Sequence, residues 1–285
     1  MINLVISILC SVAVGVLFKY IKAKTSVNIF LITINYLCAI AATYMVFRPA
    51  ITLSRFAYNP YTISLSILLP VVFILLTLSI RYSGIIKTDT AQRISLVIPV
   101  ACSYWIFNES IPAFRWVGII TGFIALFFIL NKGQKTNGTN QVYLFLVFLG
   151  YGIIDVLFKQ VALQKTVPYT VALFYIFCGS FLVASLITLA SFFRRKLTIE
   201  KSAVFYGILL GIFNFLNIYF YLRAHQSFAN NPTTVFATMN FGVILLGTLI
   251  GAIYFKEKLS RKNVVGLVLA VIAITFVVIS QMAKV

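Results

Sequence analysis

Apolar residues in this chain come in unbroken runs, without the alternation of a half-buried strand or the single stripe of a surface helix. Ten such runs lie at about 2–21, 28–47, 61–80, 88–107, 113–131, 142–161, 169–192, 203–222, 233–255 and 263–281. Each is near the ~20 residues an α-helix needs to cross a ~30 Å hydrocarbon layer. Pro60, Pro112, Pro168 and Pro232 stand at or near the starts, where a missing N–H costs little. Pro70 and Pro99 are interior and predict a kink or local unwinding in spans three and four. Connections are short. The longest are 48–60 and 131–141, and the second is the natural linker between two halves.

The two halves register against each other. Val16-Leu17-Phe18-Lys19 returns as Val156-Leu157-Phe158-Lys159, a shift of 140. A shift of 142 places Arg81 on Arg223, and one of 148 places Glu109 on Glu257, Gly118 on Gly266, Thr90 on Thr238 and Gln92 on Asn240. Five is odd, so two five-helix repeats enter the membrane in opposite senses. The expected fold is therefore an all-α integral membrane protein, with ten transmembrane helices as two inverted five-helix repeats at 1–135 and 136–285.

Composition supports lipid as the solvent: 61% of residues are hydrophobic, 10% are charged and the mean hydropathy is +1.04. The net charge of +18 would suggest nucleic acid in a soluble protein. Here the basic residues sit mostly between apolar runs, where they set orientation and meet anionic headgroups, and no soluble basic segment exists to read a groove. Cys10, Cys38, Cys102 and Cys178 stand singly inside runs as small apolar fillers, and a single histidine makes no metal site. No metal and no cofactor is expected. The first run lacks a positive segment ahead of it and reads as a retained span. Loops after odd-numbered spans carry more Lys and Arg than the others, which favours termini outside the cytoplasm.

Asn108-Glu109-Ser110-Ile111 followed by Trp116-Val117-Gly118, and Lys256-Glu257-Lys258-Leu259-Ser260 followed by Val265-Gly266, each precede a closing apolar span. This pattern resembles the EamA-type branch of the drug/metabolite transporter superfamily, whose halves each close with Gly-Glu-basic-Leu and a glycine-containing last helix. Span four, with Pro99, is similar to the family's proline-bearing fourth helix, and Lys19 matches a lysine often found late in the first. Asn108 and Lys256 stand where the family usually has glycine, and Gly247 stands in span nine where the fourth helix has its proline. The resemblance implies amino-acid or metabolite export, and relatives are generally drawn with cytoplasmic termini.

Asp155 is the one carboxylate well inside a run, ~20 Å along a ~30 Å core. It is a site for a proton or a substrate ammonium, or it pairs with Lys159 four residues on and merely orients the helix. Lys19 and Lys159 either snorkel to headgroups or flank the path of an anionic or zwitterionic solute. Arg93 either pairs locally with Asp89 or anchors a substrate carboxylate. Arg81 and Arg223 read as helix ends, and His225 as a solvated loop residue. Asn214, Asn217 and Tyr221 share one face of span eight. With Asn35, Tyr36, Tyr104, Tyr175, Gln92 and Asn240, they line a central cavity or act as interhelical glue. Glu109 and Glu257 read as structural. The pairs Gly118/Gly122, Gly207/Gly211 and Gly247/Gly251 permit close helix crossings.

No nucleophile elbow, phosphate loop or catalytic carboxylate pair is present, so an enzyme is not expected. The reading is a multi-pass secondary transporter of the plasma (inner) membrane, monomer or homodimer. It moves a small polar or amphipathic metabolite, such as an amino acid, by alternating access. An exchanger for anionic solutes using intramembrane Lys and Arg, or a membrane scaffold without a transport cycle, are the alternatives.

Overall fold

The computed structural model describes residues 1–24, 29–49, 59–130, 141–193, 201–256 and 259–282. The linker at 131–140, the basic run at 194–196, Glu257 and the side chain of Lys19 lie outside the described residues.

Every element among the described residues is helical: α1 (Ile2–Lys24), α2 (Ile29–Phe47), α3 (Pro60–Ser83), α4 (Ile85–Ile94), α5 (Val97–Trp105), α6 (Ala113–Leu130), α7 (Gln141–Leu163), α8 (Tyr169–Phe193), α9 (Lys201–Ser227), α10 (Pro232–Ile253) and α11 (Arg261–Met282). Seven of them, α2, α3 and α7 to α11, are long and apolar enough to cross a membrane. In α1 and α6 the apolar stretches Ile2–Phe18 and Ala113–Ile129 are shorter.

Span four is two helices. Pro99 has no N–H to offer the Ser95 carbonyl, and the Ile98 N–H takes that oxygen at 2.9 Å instead. Leu96 N–H bonds Arg93 O at 3.2 Å, three residues back, and the α-helical ladder is interrupted at Ser95–Leu96. Pro70, by contrast, sits inside an unbroken α3. A single residue joins α3 to α4, and Gly84 takes it at φ 84°, where a side chain would be strained.

The chain divides into two compact units, Met1–Thr77 with Leu157–Gln226, and Leu78–Val156 with Ser227–Val285. Each takes helices from both sequence halves. In the first unit α2 runs antiparallel to α8, with Thr33 bonded to Thr188 at 2.7 Å near one end and Tyr44 6.3 Å from Phe174 near the other. Two buried hydroxyls of this unit return to their own helix, Thr43 to Ala39 O at 2.7 Å and Ser66 to Thr62 O at 2.8 Å, so these two add no unmet polar group.

In the second unit α6 and α11 pack antiparallel through reciprocal glycines. A Cβ on Gly118 would lie 2.8 Å from Val277 and 3.0 Å from Ala273 O; one on Gly266 would lie 2.7 Å from Ile129 and 3.0 Å from Ala125 O. Subtracting 148 from 273 and 277 gives 125 and 129, so the two contacts are the same under the shift read from the sequence. Gly207 and Gly211 likewise sit against α2, at Ile34 and Asn35. Gly247 does not fit the expectation of a close crossing: nothing comes within 4 Å of its would-be Cβ.

Large apolar side chains remain on the outside, among them Ile2, Met45, Phe127, Phe193 and Ile253. Burial in water would be worth ~25 cal/mol per Å² to such groups, and hydrocarbon removes that drive.

Candidate functional site

Two polar neighbourhoods stand out, one in each unit. In the second unit, α4 brings Asp89 and Arg93 together four residues apart, with Arg93 Nε 3.3 Å from an Asp89 carboxylate oxygen. The local pairing weighed for Arg93 does form. Nε makes no hydrogen bond, so this contact with Asp89 is one of charge. On α7, Tyr151 lies within electrostatic reach of Arg93, Asp155 and Asp89. Asp155 is half-buried, one turn beyond Tyr151. The interruption between α4 and α5 follows Arg93 directly, and the Ser95 hydroxyl donates to the Gln92 carbonyl at 2.5 Å. Two carboxylates, one guanidinium and one phenol therefore lie near the turn that divides span four.

In the first unit the polar residues are mostly neutral. Ser7 donates to the Asn217 carboxamide oxygen at 2.8 Å and Asn214 donates to Asn35 at 3.3 Å, so the polar face of α9 meets α1 and α2. Further along that face, Tyr221 stands edge-on to Phe158 of α7 at 6.3 Å. Asn35, Tyr36 and Tyr221 are buried, as is Lys159. Tyr36 lies 6.5 Å from Phe177, and half-buried Tyr175 lies 5.7 Å from Phe174. In the second unit, Asn240 bonds back to Phe236 O at 3.2 Å and Gln92 is half-buried. Tyr104 is 53% exposed beside Trp105, on an outer surface. Lys19 lies on α1.

Two expectations need correcting. His225 is no solvated loop residue: α9 continues to Ser227, and His225 is wholly buried within it. Arg223 does not end that helix either; it lies inside, exposed, with Nη1 donating to Tyr219 Oη at 3.1 Å. The helix extends because Arg223 and Gln226 project outward while Ala224 and His225 face inward, a 3.6-residue pattern that a search for continuous apolar runs misses.

The sequence reading also passed over Arg115. It is fully buried and paired with Glu109. Its Nε donates to Ser280 Oγ at 3.1 Å, and both terminal nitrogens donate to Asn231 Oδ1 at 3.2 Å. Glu109 accepts in turn from the Thr233 hydroxyl and, at 3.0 Å, from the Thr233 N–H. That places a carboxylate on the positive end of α10. Every strong group in this cluster is answered, so it binds the start of α10 and the end of α11 to α6. Ser7 and Tyr151 were missed too; a lone hydroxyl within an apolar run gives no periodic signal.

These helices define an integral membrane protein. The chain is 40% identical over 283 residues to an uncharacterized protein of Haemophilus influenzae, covering 95% of this chain and 96% of that one, and it belongs to the same family. It is also 24% identical over 200 residues to a Rickettsia prowazekii protein named as an S-adenosylmethionine uptake transporter, across 69% of this chain and 65% of that one. That named relative is a transporter, and a non-enzymatic reading of this chain is consistent with it. A solved crystal structure superposes on all of the chain and on 98% of its own, with a TM-score of 0.70 at 12% identity, which shows a shared fold. No family model matches the sequence.

Proposed function

We propose that the protein is a secondary carrier of small metabolites bearing a cationic centre, of the amino-acid type, working by alternating access. The observation that carries this is the polar neighbourhood of the divided span: Asp89, Arg93, Tyr151 and Asp155 beside the turn between α4 and α5. Intramembrane ionisable groups beside a discontinuous helix are where carriers hold solutes and coupling ions. An ammonium or sulfonium would find two carboxylates there.

The relative named for S-adenosylmethionine supports this class, since that solute carries an ammonium, a sulfonium and a carboxylate. The reciprocal glycine contacts of α6 and α11 support two inverted five-helix repeats, at 1–135 and 136–285, with α4 and α5 together making one of ten crossings. Left-handed backbone at both Asn108 (φ 49°) and Lys256 (φ 52°) supports the EamA-type drug/metabolite transporter assignment, because these are the positions where that family usually has glycine.

Counterflow of labelled S-adenosylmethionine and a set of amino acids into proteoliposomes tests the proposal. Saturable exchange is expected, and Asp155→Asn should raise the half-saturation constant for the cationic solutes about tenfold or more. Absence of saturable exchange for the whole set, or unchanged kinetics in Asp155→Asn, would sink it.

A further inference from the structure

Arg223 closes an outward stripe of α9. Phe205, Ile208 and Ile212 are exposed on that helix, and so is Arg223. From Phe205 to Arg223 is five whole helical turns, so the two share a face, ~27 Å apart and close to the ~30 Å of a hydrocarbon layer. With the apolar stripe in lipid, the guanidinium comes out at the border with water. Two other helices of the same unit end near that level. Tyr219, one turn before Arg223, has its ring 4.9 Å from Phe47, the last residue of α2, and parallel to Tyr169, the first residue of α8, at 6.2 Å. Phe215 stacks on it from within α9 at 6.1 Å. Arg223 rests on this bed: its Cζ is 5.7 Å from the Tyr219 ring centre, and Nη1 donates to Tyr219 Oη at 3.1 Å.

Exposed Arg48 follows Phe47 directly, and exposed Lys165 lies in the connection that leads to Tyr169. No Asp or Glu is among the described residues of this unit. The matched residue of the other sequence half repeats the arrangement. Exposed Arg81, in the last turn of α3, has its Cζ 5.8 Å from the Tyr82 ring centre, and Tyr82 stacks at 5.4 Å on Tyr143, in the first turn of α7.

We infer that Arg223 and the aromatic cluster beneath it form a binding site for the phosphate of an anionic phospholipid. Tyrosine suits the border, since its ring is apolar and its hydroxyl takes water. The guanidinium fork matches two phosphate oxygens, and because Tyr219 fixes its place, less freedom is lost on binding. Arg48 and Lys165 add positive charge at the same helix ends, which favours a headgroup of net negative charge over a zwitterion. The acyl chains would lie along the stripe from Ile212 to Phe205, a surface that a water-soluble anion leaves uncovered. The site is independent of what the protein carries.

The test places the full chain in phosphatidylcholine vesicles with phosphatidylglycerol bearing a diazirine near the top of one acyl chain. Cross-linked peptides are mapped by mass spectrometry. Labels are expected at the end of α2, the start of α8 and the end of α9, in excess over those from a matched phosphatidylcholine probe. Arg223→Gln should raise the fraction of phosphatidylglycerol needed for half-maximal labelling there about tenfold. Arg223→Lys, which keeps the charge without the fork, and Tyr219→Phe, which keeps the ring without the hydroxyl, should each lose part of the affinity. Arg261→Gln, which removes an exposed arginine at the start of α11, should change nothing. If Arg223→Gln fails to fold, Arg223→Lys and Tyr219→Phe carry the test. Equal labelling by the two probes, unaltered labelling in the Arg223 and Tyr219 variants, or an equal effect of Arg261→Gln overturns the site. Labelling that inorganic phosphate competes away at constant ionic strength marks a free-anion site and overturns the lipid assignment.

Discussion

At the start of α6 the chain buries a guanidinium; at the matched position of α11, a shift of 148 from Arg115 to Asn263, it buries a carboxamide. The backbones leading to both are alike. Phe107 N–H returns to Cys102 O at 3.0 Å and Phe255 N–H to Ile250 O at 3.4 Å, and a left-handed residue follows each. The side-chain chemistry differs. Arg115 reaches Glu109, Asn231 and Ser280, and through Glu109 it holds the first turn of α10. Asn263 is neutral: it exchanges bonds with Ser260, the cap of its own helix, and donates across to a single neighbour, Ile129 O of α6, at 2.6 Å. One backbone plan thus accepts an ionic tie among several helices at one site and, at the other, a neutral helix cap with one bond to the facing helix. Damage at the first should spread, and damage at the second should stay put.

The largest expected effect follows from that spread. Glu109→Gln or Arg115→Met leaves a buried charge without its counterpart and should destabilise the detergent-solubilised protein by about 3–5 kcal/mol in thermal unfolding. The double variant should recover much of the loss. If Asn263→Ala proves equally damaging, the contrast between the two sites is wrong. Next come Gly118→Ala and Gly266→Ala, each driving a methyl into a side chain and a backbone oxygen of the facing helix. Overpacking of this kind costs about 1–3 kcal/mol, and the two melting shifts should agree with each other. Unequal shifts would break the reciprocity. Asn263→Ala removes a cap and should cost about 1 kcal/mol by the same measurement. The smallest change has the other sign: Lys256→Gly relieves a left-handed lysine and should stabilise by about 1 kcal/mol, with Asn108→Gly gaining less because asparagine tolerates that conformation.

The apolar, helical character of the chain and the break ahead of Pro99 were legible in the sequence, because each depends on chain-local spacing. The polar face of α9 was legible for the same reason, and Asn214 and Asn217 do meet other helices. Arg115 was not. Its partners Asn231 and Ser280 lie 116 and 165 residues away, and a cation beside a turn looks solvated until those helices fold over it. His225 escaped notice because Arg223, an outward-facing charge, looks like the end of an apolar run. Tyr151 looked like any aromatic in a span; its nearness to Arg93 depends on a packing that periodicity does not encode.

The matched glycine contacts of α6 and α11 have one further consequence. A patch that grips its own counterpart through a two-fold relation is what a symmetric pair of separate subunits uses to find each other. Here both patches travel on one polypeptide, so they meet in a fixed one-to-one ratio and at high effective concentration as soon as the second has been synthesised.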